Sequence, residues 1–282
     1  MTAGIILDMP EREYHARREL SSTQARRLLE SPAKFKWEQT HPRAPKAAWD
    51  LGTAAHTKVL GVGARAIAYP PEHLTPSGNV STKAATVEWA AEQRDAGLTP
   101  ITPEQMNGVD AMAEAILAKP KARALLEQPG HPEVSVFATD PDTGVDMRAR
   151  FDYLSEETRT QRAKAVDLKT ADDASQSGFE RSIAKWGYDV QDAHYLRTHK
   201  LATGIDLPFL FVVVEKEPPH LVAVHVLDDA WAEMGRVKAE RARRIYQQCI
   251  ESGEWPGHPD EILVQRPPTW LVAQFQEGYD RV

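Results

Sequence analysis

Asp167 and Lys169 stand two residues apart in the stretch Lys164-Ala165-Val166-Asp167-Leu168-Lys169-Thr170. Small and apolar residues lead into this stretch, which predicts a short buried strand, and on a strand residues i and i+2 share a face. An acid and an ammonium on one face of a buried strand have two uses. They neutralise each other as a strand-end ion pair, or both attend to a divalent metal with a water to be activated. Among the lysines of the chain, only Lys169 has an acidic residue two positions before it. Three-residue patterns arise by chance, so the choice rests on what lies on either side.

Phosphodiester hydrolysis needs a nucleophilic water, neutralisation of charge on the phosphorane and help for the leaving oxygen. Hard divalent metals supply much of all three and take oxygen ligands. Asp152 and Asp167 are suitable ligands, the backbone carbonyl of Leu168 would lie beside them, and His56 can add a nitrogen. Glu133 fits an outer ligand acting through water. Lys169 can hold or deprotonate the attacking water, on the expectation that an ammonium beside a metal site has a lowered pKa.

These residues need elements to carry them. Glu133 to Phe137 alternates as a strand does, Asp140-Pro141-Asp142-Thr143-Gly144 reads as a turn, and Val145 to Leu154 is the next strand. On that strand Met147, Ala149 and Phe151 face one way, and Arg148, Arg150 and Asp152 the other. With Asp167 on the returning strand, the two aspartates fall on adjacent antiparallel strands. Two helices follow, Phe179 to Trp186 and Tyr188 to Ala202, split by Gly187, with Gln191 and Tyr195 four apart on the second. Phe209 to Val214 and Leu221 to Val226 read as central strands, and Asp228 to Gly253 as a long helix. Its basic run, Arg236, Lys238, Arg241, Arg243 and Arg244, reads as a solvated face before a DNA contact.

Upstream, Ser21-Ser22-Thr23 caps a helix that Ser31-Pro32 ends, and Phe35 and Trp37 are expected to be core anchors. Arg26, Arg27, Lys34 and Lys36 form either a solvated face or a DNA-facing edge. A second helix, Trp49 to Val62, sets Gly52 and His56 on one face. A histidine so placed is commonly a structural hydrogen-bonder, though the small residues around it let another element come close. The chain is expected to be one domain over 1–282. It has a helical N-terminal part (1–62), an insertion (about 64–130), a catalytic core (about 131–252) and a tail (253–282) whose Trp255, Trp270, Phe275 and Tyr279 pack back onto it.

Composition sets the bounds. The 282 residues are 41% hydrophobic, enough for a sizeable core, and the apolar run Phe209 to Val214 is far too short to cross a membrane. Met1 to Pro10 does not read as a secretory signal. One cysteine, Cys249, excludes an intrachain disulfide and a four-cysteine zinc or iron–sulfur site, and fits a reducing cytoplasm. A net charge of −7 argues against coating nucleic acid by bulk charge, and leaves room for a local basic groove. There is no Gly-x₄-Gly-Lys phosphate loop, no His-Glu-x-x-His and no Gly-x-Ser-x-Gly.

The order Gly52-x-x-x-His56, Glu133, Asp152, Asp167-x-Lys169, Gln191-x-x-x-Tyr195 resembles the PD-(D/E)XK nuclease superfamily, and within it the RecE-like exonucleases (exonuclease VIII and its phage relatives). Leu20-Ser21-Ser22-Thr23, Gly52-Thr53-Ala54-Ala55-His56, Arg148-Ala149-Arg150-Phe151-Asp152 and the stretch Tyr188 to Tyr195 support it, over about residues 20 to 250. One departure is Phe151, where the superfamily name has proline. The resemblance implies an α/β fold with a restriction-endonuclease-like core, a central mixed sheet flanked by helices. It implies that His56, Asp152 and Asp167 bind Mg²⁺, with Mn²⁺ as a substitute, that Lys169 serves the water, and that Gln191 and Tyr195 position the DNA end or brace the ligands. Arg148 and Arg150 would line the DNA groove. Such enzymes degrade one strand of duplex DNA from a 5′ end, leave a 3′ tail for a RecT-like annealing protein, and form rings around the duplex. The competing readings are another nuclease of the superfamily, an endonuclease or a RecB-like repair nuclease, and an inactive nuclease fold that binds DNA.

Overall fold

The computed structural model describes residues 4–41, 47–159 and 161–279. Its centre is a six-stranded mixed sheet. In chain order the strands are β1 (Gly4–Ile6), β4 (Gly130–Thr139), β5 (Asp146–Ser155), β6 (Ala165–Ala171), β7 (Phe209–Glu215) and β8 (Val222–His225), and they neighbour one another in that order. All pairs are antiparallel except β6 with β7. That parallel pair needs a crossover, and α8 (Gln176–Trp186) and α9 (Tyr188–Thr203) provide it. A separate parallel pair, β2 (Arg65–Ala68) and β3 (Leu98–Ile101), lies in the intervening segment.

Helices cover both faces. On one side Val166, Leu168, Val212 and Val214 pack against Ala54 and Ala55 of α4 (Ala47–Leu60), and against Val109, Met112 and Ile116 of α6 (Pro103–Ala118). On the other, Ala149, Phe151, Phe209 and Phe211 pack against Phe179, Ile183, Tyr188 and Tyr195 of α8 and α9. Part of the stretch read as an insertion, α6 with α7 (Pro120–Glu127), thus closes one face of the sheet. Between β2 and β3 runs α5 (Ala84–Asp95). The long helix α10 (Asp229–Ser252) packs on α9 and on α2 (Ser22–Glu30).

Local signals account for the helix ends. Ser21 and Gln24 form a capping box for α2, and Thr102 and Gln105 form one for α6. Ser31 ends α2 and caps α3 (Pro32–Thr40), which follows at once; Pro32 starts that helix instead of merely stopping the last. Of the two aromatics on α3, Phe35 is buried against Tyr246 and Trp255, whereas Trp37 is 62% exposed and is not a core anchor. The tail also departs from expectation. Trp255 packs back, but Trp270 and Phe275 stand exposed on α11 (Thr269–Tyr279), and the side chain of Tyr279 lies outside the described residues. The basic run of α10 is mostly tied to acids: Arg236 and Arg244 to Glu240, Lys238 to Asp189, and the buried Arg243 to Asp140. Among the described residues no helix is long and apolar enough to cross a membrane.

Candidate active site

The sheet is broken where the acids are. The β4–β5 ladder runs Pro132 with Tyr153 and then Val134 with Phe151, missing Glu133 with Asp152. The β5–β6 ladder holds Leu154 with Ala165 and Tyr153 with Val166, and stops before Asp152 with Asp167. Extending either register brings Glu133, Asp152 and Asp167 to one level across three neighbouring strands, at the point where those strands part. Glu133 has φ +54°, left-handed backbone that takes it out of the ladder. Around the same point β5 changes sides: Phe151 packs with α9, and Tyr153 with Val166 on the face of α4. The Leu168 amide, which a continued ladder would have paired with backbone, donates instead to Asp152 Oδ2 at 2.7 Å.

His56 reaches this gap from α4, with Nδ1 3.4 Å from Asp152 Oδ2. Asp167 is 2% exposed and held on both oxygens. Gln191 Nε2 donates to Oδ1 at 2.6 Å, and Lys169 pairs with Oδ2. The Lys169 ammonium also lies 4.9 Å from the centre of the Tyr188 ring, a favourable cation–π position. Tyr195 packs its ring on Phe151 and Phe209 and borders a cavity of about 270 Å³, which His56, Asp152, Glu133 and Arg150 also line. Leu168, between Asp167 and Lys169 in sequence, is fully buried.

The charges are unbalanced. Burial, and then the neighbouring charge of Asp167, hold the Asp152 carboxyl well above the usual carboxylate range. Burial, and then the Lys169 ammonium, hold His56 below the usual imidazole value. For Lys169 itself burial pulls downward, but Asp167 and Asp152 together outweigh it and the pKa is raised. With no cation beside it, the ammonium answers to two carboxylates, and they hold its proton.

That excess of carboxylate suits a hard divalent cation. Asp152 and Asp167 could supply oxygens, the Leu168 carbonyl directly follows Asp167 in sequence, and His56 could add an imidazole. Among the described residues no three His, Cys, Asp or Glu side chains already converge into a shell. A partial, oxygen-rich set is what Mg²⁺ accepts, because it keeps several of its waters.

Of the two arginines expected to line the DNA groove, Arg148 is committed elsewhere and Arg150 remains on the cavity. Arg148 is buried: it donates to the carbonyls of Tyr14 and Arg17 and lies over the Tyr14 ring, so it clasps the N-terminal segment. Arg150 borders the cavity, but it is paired with Glu133 and donates to the Met9 carbonyl at 2.9 Å. Both arginines fasten α1 (Glu11–Ala16), an element too short to show a sequence period. Glu133 pairs with Arg150 and lines the same cavity as His56 and Asp152. Tyr14 and Tyr188 were not foreseen in the sequence. The one available signal was Gly187, whose left-handed φ of +66° sets Tyr188 at the start of α9.

Comparison with known proteins agrees with this architecture. A family model described as a PDDEXK-like domain of unknown function (DUF3799) matches residues 21–267. Among solved structures, a Eubacterium rectale protein described as a "Putative exonuclease" superimposes with a TM-score of 0.59 at 12% identity, over 95% of this chain and 98% of that one. A second, SSO0001, covers 80% of this chain and 86% of its own at 12% identity, with a TM-score of 0.31, too low to bear on the fold. No curated protein matches. With the family model spanning most of the chain and the acids of its fold gathered at one break in the sheet, this protein belongs to the PDDEXK-like family DUF3799.

Proposed function

We propose that the chain is a Mg²⁺-dependent 5′-to-3′ exonuclease acting on ends of double-stranded DNA, leaving 3′ single-stranded tails for recombination by strand annealing. The observation that carries this reading is Asp152 opposite Asp167 where β5 and β6 part, with Lys169 on Asp167. The family and the exonuclease description of the Eubacterium rectale protein support it. Asp152, Asp167, the Leu168 carbonyl and His56 would hold the metal. When bound, a divalent ion supplies Lewis acidity and a lowered pKa for water.

The chain's own groups do the rest. Gln191 fixes the Asp167 carboxylate so that it need not reorganise, and preorganised polar groups are the strongest general source of rate enhancement. Lys169, held protonated, places positive charge where the phosphorane develops negative charge, and orients a water through its hydrogen-bond donors. Tyr195 and the aromatic layer behind it keep the cavity wall apolar, which strengthens the charge interactions inside. A RecT-like annealing protein would take the tail, and a homo-oligomeric ring would hold the duplex.

The test is digestion of linear duplex DNA, labelled separately at its 5′ and 3′ ends, with Mg²⁺ and with a closed circular plasmid beside it. Early release of 5′ label with an intact plasmid is expected. Early release of 3′ label reverses the polarity, and nicking of the plasmid replaces the exonuclease reading with an endonuclease.

A further inference from the structure

Behind Lys169, on the side of α8, lies a second opening of about 330 Å³. Lys169 and Thr170 form its inner end, and Trp186 its rim. Four cationic side chains line it, Lys169, Arg181, Lys185 and Lys216, against two carboxylates. Both carboxylates are engaged: Asp172 with Lys216 at 2.8 Å, and Asp173 with Arg181 at 3.0 Å. Lys185 lies 4.7 Å from the centre of the Trp186 ring. Lys169 is itself paired with Asp167, so the four cations exceed the three carboxylates they meet by one, within a chain whose net charge is −7.

Trp186 is the unusual residue. It is 53% exposed although it ends a helix whose inner face is buried through Phe179 and Ile183. Its backbone is fixed: its carbonyl accepts from Arg26, and Gly187 ends the helix in a left-handed turn. A Cβ on Gly187 would come within 2.8 Å of Arg26 Cδ, so the ring projects from an anchored point. Two residues on, Tyr188 turns inward over Lys169. One junction thus carries an aromatic ring to the catalytic lysine and another to the rim of the opening beside it.

We infer that this groove binds single-stranded DNA, with a base stacked on Trp186 and the backbone phosphates tracking Lys185 and Lys216. Flat aromatic rings joined to a cationic groove are what sequence-tolerant single-strand binding requires, because every base has a π-face. The inference rests on the nuclease reading of the adjoining site, and extends it to where a strand lies relative to Lys169. The 270 Å³ cavity borders Asp152 and His56, and this groove borders Lys169.

The test uses the full chain with a fluorescent oligothymidylate in EDTA, so that no cleavage intervenes. W186A should weaken binding by about 5- to 100-fold, the range for loss of one stacked base. W186F should keep most of the affinity, and W37A, an exposed tryptophan elsewhere, should bind as wild type. K185Q should flatten the salt dependence of binding by about one phosphate contact. In parallel, each folded variant is assayed with Mg²⁺ on linear duplex, where W186A should raise KM more than it lowers kcat. Wild type that does not bind the oligonucleotide, or W186A that binds it as wild type does, overturns the groove assignment while digestion by wild type keeps the nuclease reading. Absence of digestion by wild type overturns the nuclease reading on its own, whatever the oligonucleotide result.

Discussion

At the residue scale the site is a carboxylate pair restrained by one amide and one ammonium. Asp167→Ala removes the better fixed acid, the one that Gln191 and Lys169 both hold. Metal-site electrostatics lower barriers by several kcal/mol and each ~1.4 kcal/mol is tenfold in rate, so cleavage should fall by at least about 10³-fold. Single-turnover digestion by a variant with unchanged circular dichroism measures this, and near-normal activity would remove Asp167 from the chemistry. Lys169→Arg keeps the charge but replaces a compact ammonium with a planar fork, in a space that Asp167 and the Tyr188 ring both bound. It should be poorly active with near-normal stability. Retention of most activity would make Lys169 a simple charge partner.

At the scale of elements, α9 carries both a brace of the site and a burden. Asp192, one residue beyond Gln191, is buried, and burial followed by the charges of Asp189 and Asp167 raises its pKa to about 7. The sign follows from linkage. The folded state binds this proton more tightly than the unfolded chain, so folding loses stability as pH rises from about 4 to about 7 and then levels off. The rise from 3.8 to about 7 corresponds to about 4 kcal/mol. Asp192→Asn should therefore stabilise the metal-free protein at pH 8, with the advantage narrowing toward pH 4. Urea unfolding in EDTA across that range checks it, and a pH-independent difference would place the cause elsewhere. The same helix is approached closely by α10. A Cβ on Gly235 would overlap the backbone carbonyl of Asp189, which Lys238 also holds through its carboxylate. Overpacking of this kind costs about 1–3 kcal/mol, so Gly235→Ala should lower the melting temperature by several degrees. An unchanged melting curve would mean that the two helices separate freely.

At the scale of the molecule the question is retention on DNA. Arg148 and Arg150 are committed to the N-terminal segment, and most of the basic run of α10 is paired with acids. A binder held by many phosphate contacts loses roughly 10³ to 10⁵ in affinity over a modest rise in salt, and a chain of net charge −7 has little long-range attraction to offset that. An oligomer enclosing the duplex would retain it by topology. Digestion of a long linear duplex, challenged midway with salt and excess competitor DNA, should then continue for many nucleotides. Immediate arrest together with a monomer in sedimentation would mean distributive action and no ring.

Residue order and period alone marked β4, β5, β6, β7 and α9, because each has an alternation, an apolar run or a helical repeat, and the breaks at Gly187 and Ser31-Pro32 are local steric facts. Asp152, Asp167 and Lys169 were legible because their placement depends only on strand geometry, whereas the expectations for His56 as a ligand and for Gln191 rested on the family resemblance. What tertiary structure decided is what each charge faces. Arg148 and Asp152 lie on the same strand four residues apart, yet one is spent on the carbonyls of a segment more than 130 residues away and the other on the Leu168 amide. No local rule distinguishes them, since a guanidinium lines a groove or clasps a chain according to what packs beside it. The break in both ladders at Asp152 is likewise tertiary. It arises where Glu133 leaves the β4 ladder and the β5–β6 pairing stops, and that gap is what sets Asp152 beside the Asp167–Lys169 pair.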